Sequence, residues 1–296
     1  MDAKAFRKII LKKIPEGKVI PRHTERGHFY EVVEKNVWDW EQRLWVNNPV
    51  YPSVTGKIQI LKDESIINFK MNRALDYVFG NFKSFTDENV MEHLERAGQA
   101  SADIFQDAGD VGTEIHDIRE RYFKEWISSG KRPENILAFI PTGQEDIRII
   151  SALRGLEKFV KEWEYEPAVT ELYVYSHKLK VAGTLDDIGT MRHRTNPLKR
   201  ELVLMDIKSS NQFKDHYFFQ VALYYTMFFG LTGLRPTRCF INKLDKKVGT
   251  FQIEDLKHPG KLAVYTRSML VTNRGLDYIR SIRKDNQKVV GEKIEL

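Results

Sequence analysis

Two aspartates and a lysine have the types and the spacing for chemistry on a phosphate. Asp206 and Lys208 lie two apart in E-L-V-L-M-D-I-K, an apolar, partly β-branched run that ends in a polar tip. In a strand they point to the same face. Asp186 stands at the end of the preceding candidate strand, V-A-G-T-L-D-D, across a loop rich in Arg, Lys and Pro. A hairpin over residues 181–210 brings Asp186, Asp206 and Lys208 to one edge of a sheet. Two carboxylates and an amine are costly to bury unpaired. A divalent cation relieves the repulsion between the carboxylates and leaves the lysine to meet a phosphate or a water.

Other elements must position this group. Residues 109–129 predict one helix beginning near G-D-V-G-T, with Gly112 and His116 on a shared face. Residues 130–143 read as a loop. In 144–164, Ile147, Ile150, Leu153, Leu156, Phe159, Val160 and Trp163 recur on one face, which predicts a helix. Pro167 ends it, and Val169 to Tyr175 alternates as a strand. Glu171 then falls on the same side as Tyr173 and Tyr175. Residues 213–230 predict a helix that packs Phe218, Val221, Ala222, Tyr225 and Phe229 on the sheet and pairs Gln220 with Tyr224. Strands follow at 236–243 and 248–253, then a helix over 255–284 carrying Arg267, Arg274, Arg280 and Arg283.

The first third is expected to be mainly helical, with two or three helices over 64–107. A short helix at 37–46 puts Trp38 and Trp45 on one side, as a packing patch or a base-stacking surface. The polar stretch with His23, Arg26, His28 and Tyr30 reads as a solvated loop or strand edge, with a phosphate contact as the alternative.

Composition narrows the class. At 296 residues, 42% hydrophobic and 30% charged, the chain suits a soluble globular protein with a large core. Cys239 is the one cysteine, which excludes a disulfide framework and a cysteine cluster. A net charge of +6 is consistent with a polyanionic partner. No apolar run has the length of a membrane span, so no membrane partner is expected. The start is charged throughout without a secretory apolar region, so a cytoplasmic location is expected. Its basic amphipathic character makes a mitochondrial address the alternative.

Gly183-Thr184-Leu185-Asp186 followed by Asp206-Ile207-Lys208 resembles the G-x-x-D…D-x-K core of the PD-(D/E)XK nuclease superfamily. Gly112-Thr113-Glu114-Ile115-His116 is similar to the G-T-x-x-H of its RecB-like exonuclease branch, and Gln220 to Tyr224 is similar to that branch's Q-x-x-x-Y. That branch includes phage exonucleases and the mitochondrial genome maintenance exonuclease. Tyr51-Pro52-Ser53-Val54-Thr55 is similar to a segment near the start of such exonucleases. The resemblance spans about residues 108–245. Leu185 stands where the founding pattern has proline, and Ser209 where a threonine is common.

The resemblance implies an α/β fold, a mixed central sheet flanked by helices. Residues 108–296 form the nuclease core with a C-terminal helix. Residues 1–107, outside the motifs, are expected to form a mainly helical region that either arches over the site or packs as a plain helical layer. It implies a metal-dependent DNA exonuclease favouring single-stranded ends, in the setting of DNA repair, replication or recombination and, for a phage protein, in the host cytoplasm. The alternatives are an endonuclease with the same core and a catalytically silent nucleic-acid-binding module. Asp186 and Asp206 are the primary metal ligands, with the Ile207 carbonyl as a third if the strand is irregular there. His116 joins them, and Glu171 joins or stays a surface carboxylate. Asp187 points the other way unless a bulge exchanges it with Asp186. Lys208 orients the water or offsets phosphate charge. Gln220 and Tyr224 touch a phosphate, with helix packing as the rival role for Tyr224. Oxygen-rich ligation favours Mg²⁺, and an added imidazole lets Mn²⁺ substitute. The iron–sulfur subtype needs four cysteines and is excluded. No phosphate-binding motor loop is present, so unwinding falls to a helicase or single-strand-binding protein in trans.

Overall fold

The chain begins with α1 (Ala3–Lys13), β1 (Val19–Thr24), β2 (Gly27–Val32), β3 (Val37–Asp39), β4 (Leu44–Val46), β5 (Val50–Pro52), α2 (Val54–Ile58), α3 (Glu64–Asn81) and α4 (Val90–Ser129). Then come α5 (Ile147–Glu162), β6 (Glu166–Ser176), β7 (Val181–Arg192), β8 (Arg200–Lys208), α6 (Asp215–Thr232), β9 (Arg238–Leu244) and β10 (Phe251–Asp255). The computed structural model describes residues 1–24, 27–39, 42–58, 64–193, 195–196, 199–210, 212–256 and 268.

The fold is α/β. Five strands form a mixed sheet in the order β10-β9-β8-β7-β6. The pair β8–β9 is parallel and the other pairs are antiparallel. A parallel neighbour needs a crossover, which α6 provides. Helices cover both faces: Ile115, Ile118, Leu153 and Phe159 of α4 and α5 pack with Val203, Met205 and Ile207. Ile10 of α1, Val54 of α2 and Val221 of α6 pack with Leu202, Leu204 and Leu185. Because both faces are covered, β8 is buried from Glu201 to Ile207.

Local signals set the helix ends. Asp146 caps α5, its carboxylate accepting from the Arg148 N–H. Gly130 and Gly233 end α4 and α6 in the left-handed conformation, φ 68° and 72°. Gly155 lets α5 approach the β10 strand: a Cβ there would sit 2.4 Å from the Thr250 carbonyl oxygen. Gly155→Ala is expected to cost about 1–3 kcal/mol, read as a lower urea midpoint. An unchanged midpoint would contradict this contact.

The first third departs from the helical expectation. Residues 19–52 form a three-stranded sheet, β1-β2-β5, and a β3–β4 hairpin. Trp38 and Trp45 are therefore cross-strand partners, ring centroids 5.2 Å apart, and not neighbours on a helix. The β-branched and aromatic residues around them favour a pleated surface. His23 and His28 likewise pair across β1 and β2. Helix α4 is 40 residues long and starts well before residue 109, so the expected boundary at 107/108 falls inside it. Glycines at 109 and 112 cost a helix about 1 kcal/mol each, too little to break it. Of the expected helix over 255–284 only residues 255, 256 and 268 are described: β10 ends at Asp255, Ser268 is helical, and the rest lies outside the described residues. Among the described residues no helix is long and apolar enough to cross a membrane.

Candidate active site

The site forms where the sheet's ladder breaks. β6 and β7 pair as Thr170↔Asp187 and Leu172↔Leu185, with Glu171 and Asp186 skipped between them. β7 and β8 pair from Arg192↔Arg200 to Asp187↔Met205 and no further. Beyond that point Ser53, just after β5, bridges Ala182 of β7. The Ile207 N–H donates to Asp186 Oδ2 at 2.7 Å, so a side-chain carboxylate stands in for the lost strand partner. Glu171 itself has φ 50°, a left-handed backbone that is rare for a residue with a Cβ. Strain of this kind costs of order 1–3 kcal/mol and clusters at functional sites.

Helix α4 delivers His116 to this break. Its Nδ1 lies 3.9 Å from Asp186 Oδ1. One ligand atom each from His116, Glu171 and Asp186 lies within 4.8 Å of the others. Asp206 is not in that trio. It is fully buried, and Lys208 Nζ stands 2.7 Å from its Oδ2. Neither Asp206 oxygen has a well-directed hydrogen bond among the described residues. Asp187 faces away from Asp186 and meets Arg119.

Arg119 is the residue that sequence reasoning missed. It is fully buried, its Nη1 donates to Asp187 Oδ2 at 2.6 Å, and its Nη2 donates to Glu171 Oε1. A signal existed: Arg119 is three residues after His116 and shares its helix face. Tyr30 belongs to a polar stretch of the sequence, and β2 carries its hydroxyl to within 3.1 Å of Thr184 Oγ1, two residues from Asp186.

Gln220 and Tyr224 sit together on α6, the amide Nε2 donating to the phenol oxygen at 3.3 Å. Tyr224 is buried against Gly183: a Cβ at 183 would lie 3.0 Å from the Tyr224 ring. The glycine of G-x-x-D thus makes room for the tyrosine of Q-x-x-x-Y. Burial first of all, then the nearby Asp206, pushes the Tyr224 phenol far above its usual range, so it stays a neutral donor. Lys208 also lies over the Tyr217 ring, 5.3 Å from its centroid.

The electrostatics show an excess of acid. Glu171, Asp186, Asp187 and Asp206 face Arg119 and Lys208, four carboxylates against two cations. Burial, added to by neighbouring carboxylates, pushes Asp206 up to about 7. The same causes push Glu171 up to about 8 and Asp187 up to about 6, with Arg119 opposing. Burial also pushes Asp186 upward, but His116, Arg119, Lys208 and the Ile207 N–H together hold it below its ordinary value. Burial, helped by Arg119 and Lys208, drives His116 down to about 4, against the pull of Asp186 and of the Ile207 backbone. The imidazole is therefore neutral near pH 7, with a lone pair to offer. With all four carboxylates ionised, a cation of charge +2 would match the two surplus negative charges and favour loss of the protons that Glu171 and Asp206 hold near pH 7. The donor set of carboxylate oxygens, an imidazole and under-bonded Asp206 oxygens suits Mg²⁺ or Mn²⁺.

No family model matches this chain, and no curated protein matches it. Solved structures that resemble it include an alkaline exonuclease, LHK-Exo, from Laribacter hongkongensis. The two are 12% identical with a TM-score of 0.32, over 59% of this chain and 91% of that one. LHK-Exo in complex with dAMP is 14% identical, with a TM-score of 0.31, over 60% of this chain and 92% of that one. Likeness this remote leaves the activity to be read from the site itself.

Proposed function

We propose that this chain is a divalent-metal-dependent deoxyribonuclease of the PD-(D/E)XK type that degrades DNA from single-stranded ends. The observation that carries the proposal is the ladder break. It gathers Asp186, Glu171 and His116 within ligand distance of one another and sets the Asp206–Lys208 pair beside them.

Phosphodiester hydrolysis needs an attacking water, relief of charge on the phosphate, and help for the leaving oxygen. A bound Mg²⁺ or Mn²⁺ supplies these as a Lewis acid. Asp186, Asp206, His116, Glu171 and the Ile207 carbonyl would hold it. Lys208 orients the water or donates to a phosphate oxygen as negative charge grows there. Arg119 fixes Glu171 and Asp187 and keeps the acid cluster from losing its geometry. Gln220 and the neutral Tyr224 hydroxyl offer donors to a phosphate. The net charge of +6 fits a polyanionic substrate. The preference for ends and for single strands rests on the resemblance to the RecB-like branch.

The test uses an end-labelled single strand and a closed circle of the same sequence, with wild type and Lys208→Ala. The linear strand should disappear, the circle should survive, and the variant should be slower by roughly 10²–10³. A cut circle with a slow variant would keep the site and move the activity to endonuclease. Binding of both substrates without cleavage would leave a nucleic-acid-binding module.

A further inference from the structure

The stretch of β7 that presents Asp186 has lost β8 as a neighbour, since their pairing stops at Asp187↔Met205. Three substitute contacts hold it, one at every second residue. Ser53 bridges Ala182, the Tyr30 hydroxyl lies 3.1 Å from Thr184 Oγ1, and the Ile207 N–H donates to Asp186 Oδ2. The first two come from the three-stranded N-terminal sheet and the residue that follows it. Val54, next in the chain, closes on Gly183, where a Cβ would lie 3.1 Å from its Cγ2. The N-terminal sheet is itself fixed to the β6–β7 hairpin. Val19, Val32 and Tyr51 share a small core with Tyr175 and Ala182, and Tyr30 packs against it. The Tyr51 hydroxyl lies 2.7 Å from His177 Nδ1, the Tyr175 hydroxyl donates to Glu34 at 3.3 Å, and Lys180 donates to both Asp39 oxygens.

We infer that the N-terminal sheet is a working part of the active site and that Tyr30 is a positioning residue for its metal: by holding Thr184 it fixes the strand that presents Asp186. The inference rests on the metal-dependent reading above. Tyr30 lies on the central strand β2, and its ring is 6.1 Å from that of Tyr173. Tyr173 is the register partner of Thr184. These two form the cross-strand row next to Glu171 and Asp186, about 7 Å along the strands, and Tyr30 reaches both members of it. Leu185 and Leu172 turn into the core with α6, so Thr184 and Tyr173 take the other face, where α4 delivers His116. The phenol suits this task. Burial above all, then Tyr173 and Glu171, pushes it above its ordinary value, with the Thr184 bond opposing. It stays neutral and adds no charge to a cluster already crowded with carboxylates. Groups that orient metal ligands from behind change metal affinity by about 10–100-fold when removed. Tyr30 acts through one further residue, which puts it at the low end.

The experiment titrates the full chain with Mn²⁺ in a calorimeter, for wild type, Tyr30→Phe, Thr184→Val and the double variant, with Tyr51→Phe as the control. Tyr30→Phe keeps the ring and its packing and removes only the hydroxyl. It should weaken Mn²⁺ binding about tenfold. Thr184→Val should do the same, and the double variant should be no weaker than either, because both changes remove one bond. Cleavage of a single-stranded oligonucleotide by Tyr30→Phe should fall at limiting Mn²⁺ and recover at saturating Mn²⁺. Tyr51→Phe loosens the same sheet at His177, away from Thr184. It should lower the urea midpoint and leave Mn²⁺ affinity unchanged. Unchanged Mn²⁺ affinity in Tyr30→Phe, with wild type binding the ion and cleaving, would overturn the positioning role and spare the nuclease reading. Equal losses of affinity in Tyr30→Phe and Tyr51→Phe would also overturn it, reducing the sheet to a general support. A wild type that neither binds Mn²⁺ nor cleaves would sink the nuclease reading and this inference with it.

Discussion

Asp186→Asn is expected to cut DNA cleavage by roughly 10³-fold or more while leaving the fold in place. Asparagine keeps an oxygen to accept the Ile207 N–H, the bond that spans the break between β7 and β8. What it loses is charge. Asp186 is the one member of the four-carboxylate cluster held below its ordinary pKa, and so the one most firmly ionised near neutral pH. Asp206 at about 7 and Glu171 at about 8 are partly protonated there until a cation arrives. Single-turnover cleavage and a calorimetric titration with Mn²⁺ check this. Both should fail in the variant, whose melting temperature should stay near that of wild type. Cleavage within tenfold of wild type would move the metal away from Asp186.

Arg119→Ala is expected to destabilise the molecule by about 3–5 kcal/mol, because it strands buried carboxylates without their cation. Asp187 is fully buried and Glu171 is held in a strained backbone, and both lean on this guanidinium. The deficit should depend on pH in a definite direction. Asp187 already titrates at about 6 with Arg119 in place, above the ordinary carboxylate value. A carboxylate whose folded pKa is raised favours folding when protonated and opposes it as pH rises through that pKa. Removing Arg119 raises it further. Urea unfolding in EDTA should therefore show a larger deficit near about pH 8 than near about pH 5. An equal or smaller deficit at the higher pH would mean that Arg119 stabilises by packing alone.

The contrast between Asp186 and Arg119 shows what was legible in the sequence. Asp206 and Lys208 could be placed on one face because a strand's side chains alternate with a period of two, whereas His116 was singled out only by the resemblance of Gly112–His116 to a G-T-x-x-H motif. The helices over 147–162 and 215–232 lie within three residues of their expected ends, since their apolar faces are periodic and their caps local. The break that gathers the site was not legible. It involves Ser53 bridging Ala182, a contact between segments far apart in the chain. Arg119 was passed over because a fully buried arginine is rare, and its partners Glu171 and Asp187 come from two different strands. Trp38 and Trp45, seven apart, suit two helical turns as well as a hairpin, and three-residue strands are too short to show alternation.

The most direct test of the central claim is a metal add-back. The purified chain is stripped with EDTA, exchanged into metal-free buffer, and given an end-labelled single strand of DNA. The account predicts no cleavage until Mg²⁺ or Mn²⁺ is returned, then loss of the strand at a rate that saturates with the ion. Full-rate cleavage in EDTA, or none with either ion, would contradict it.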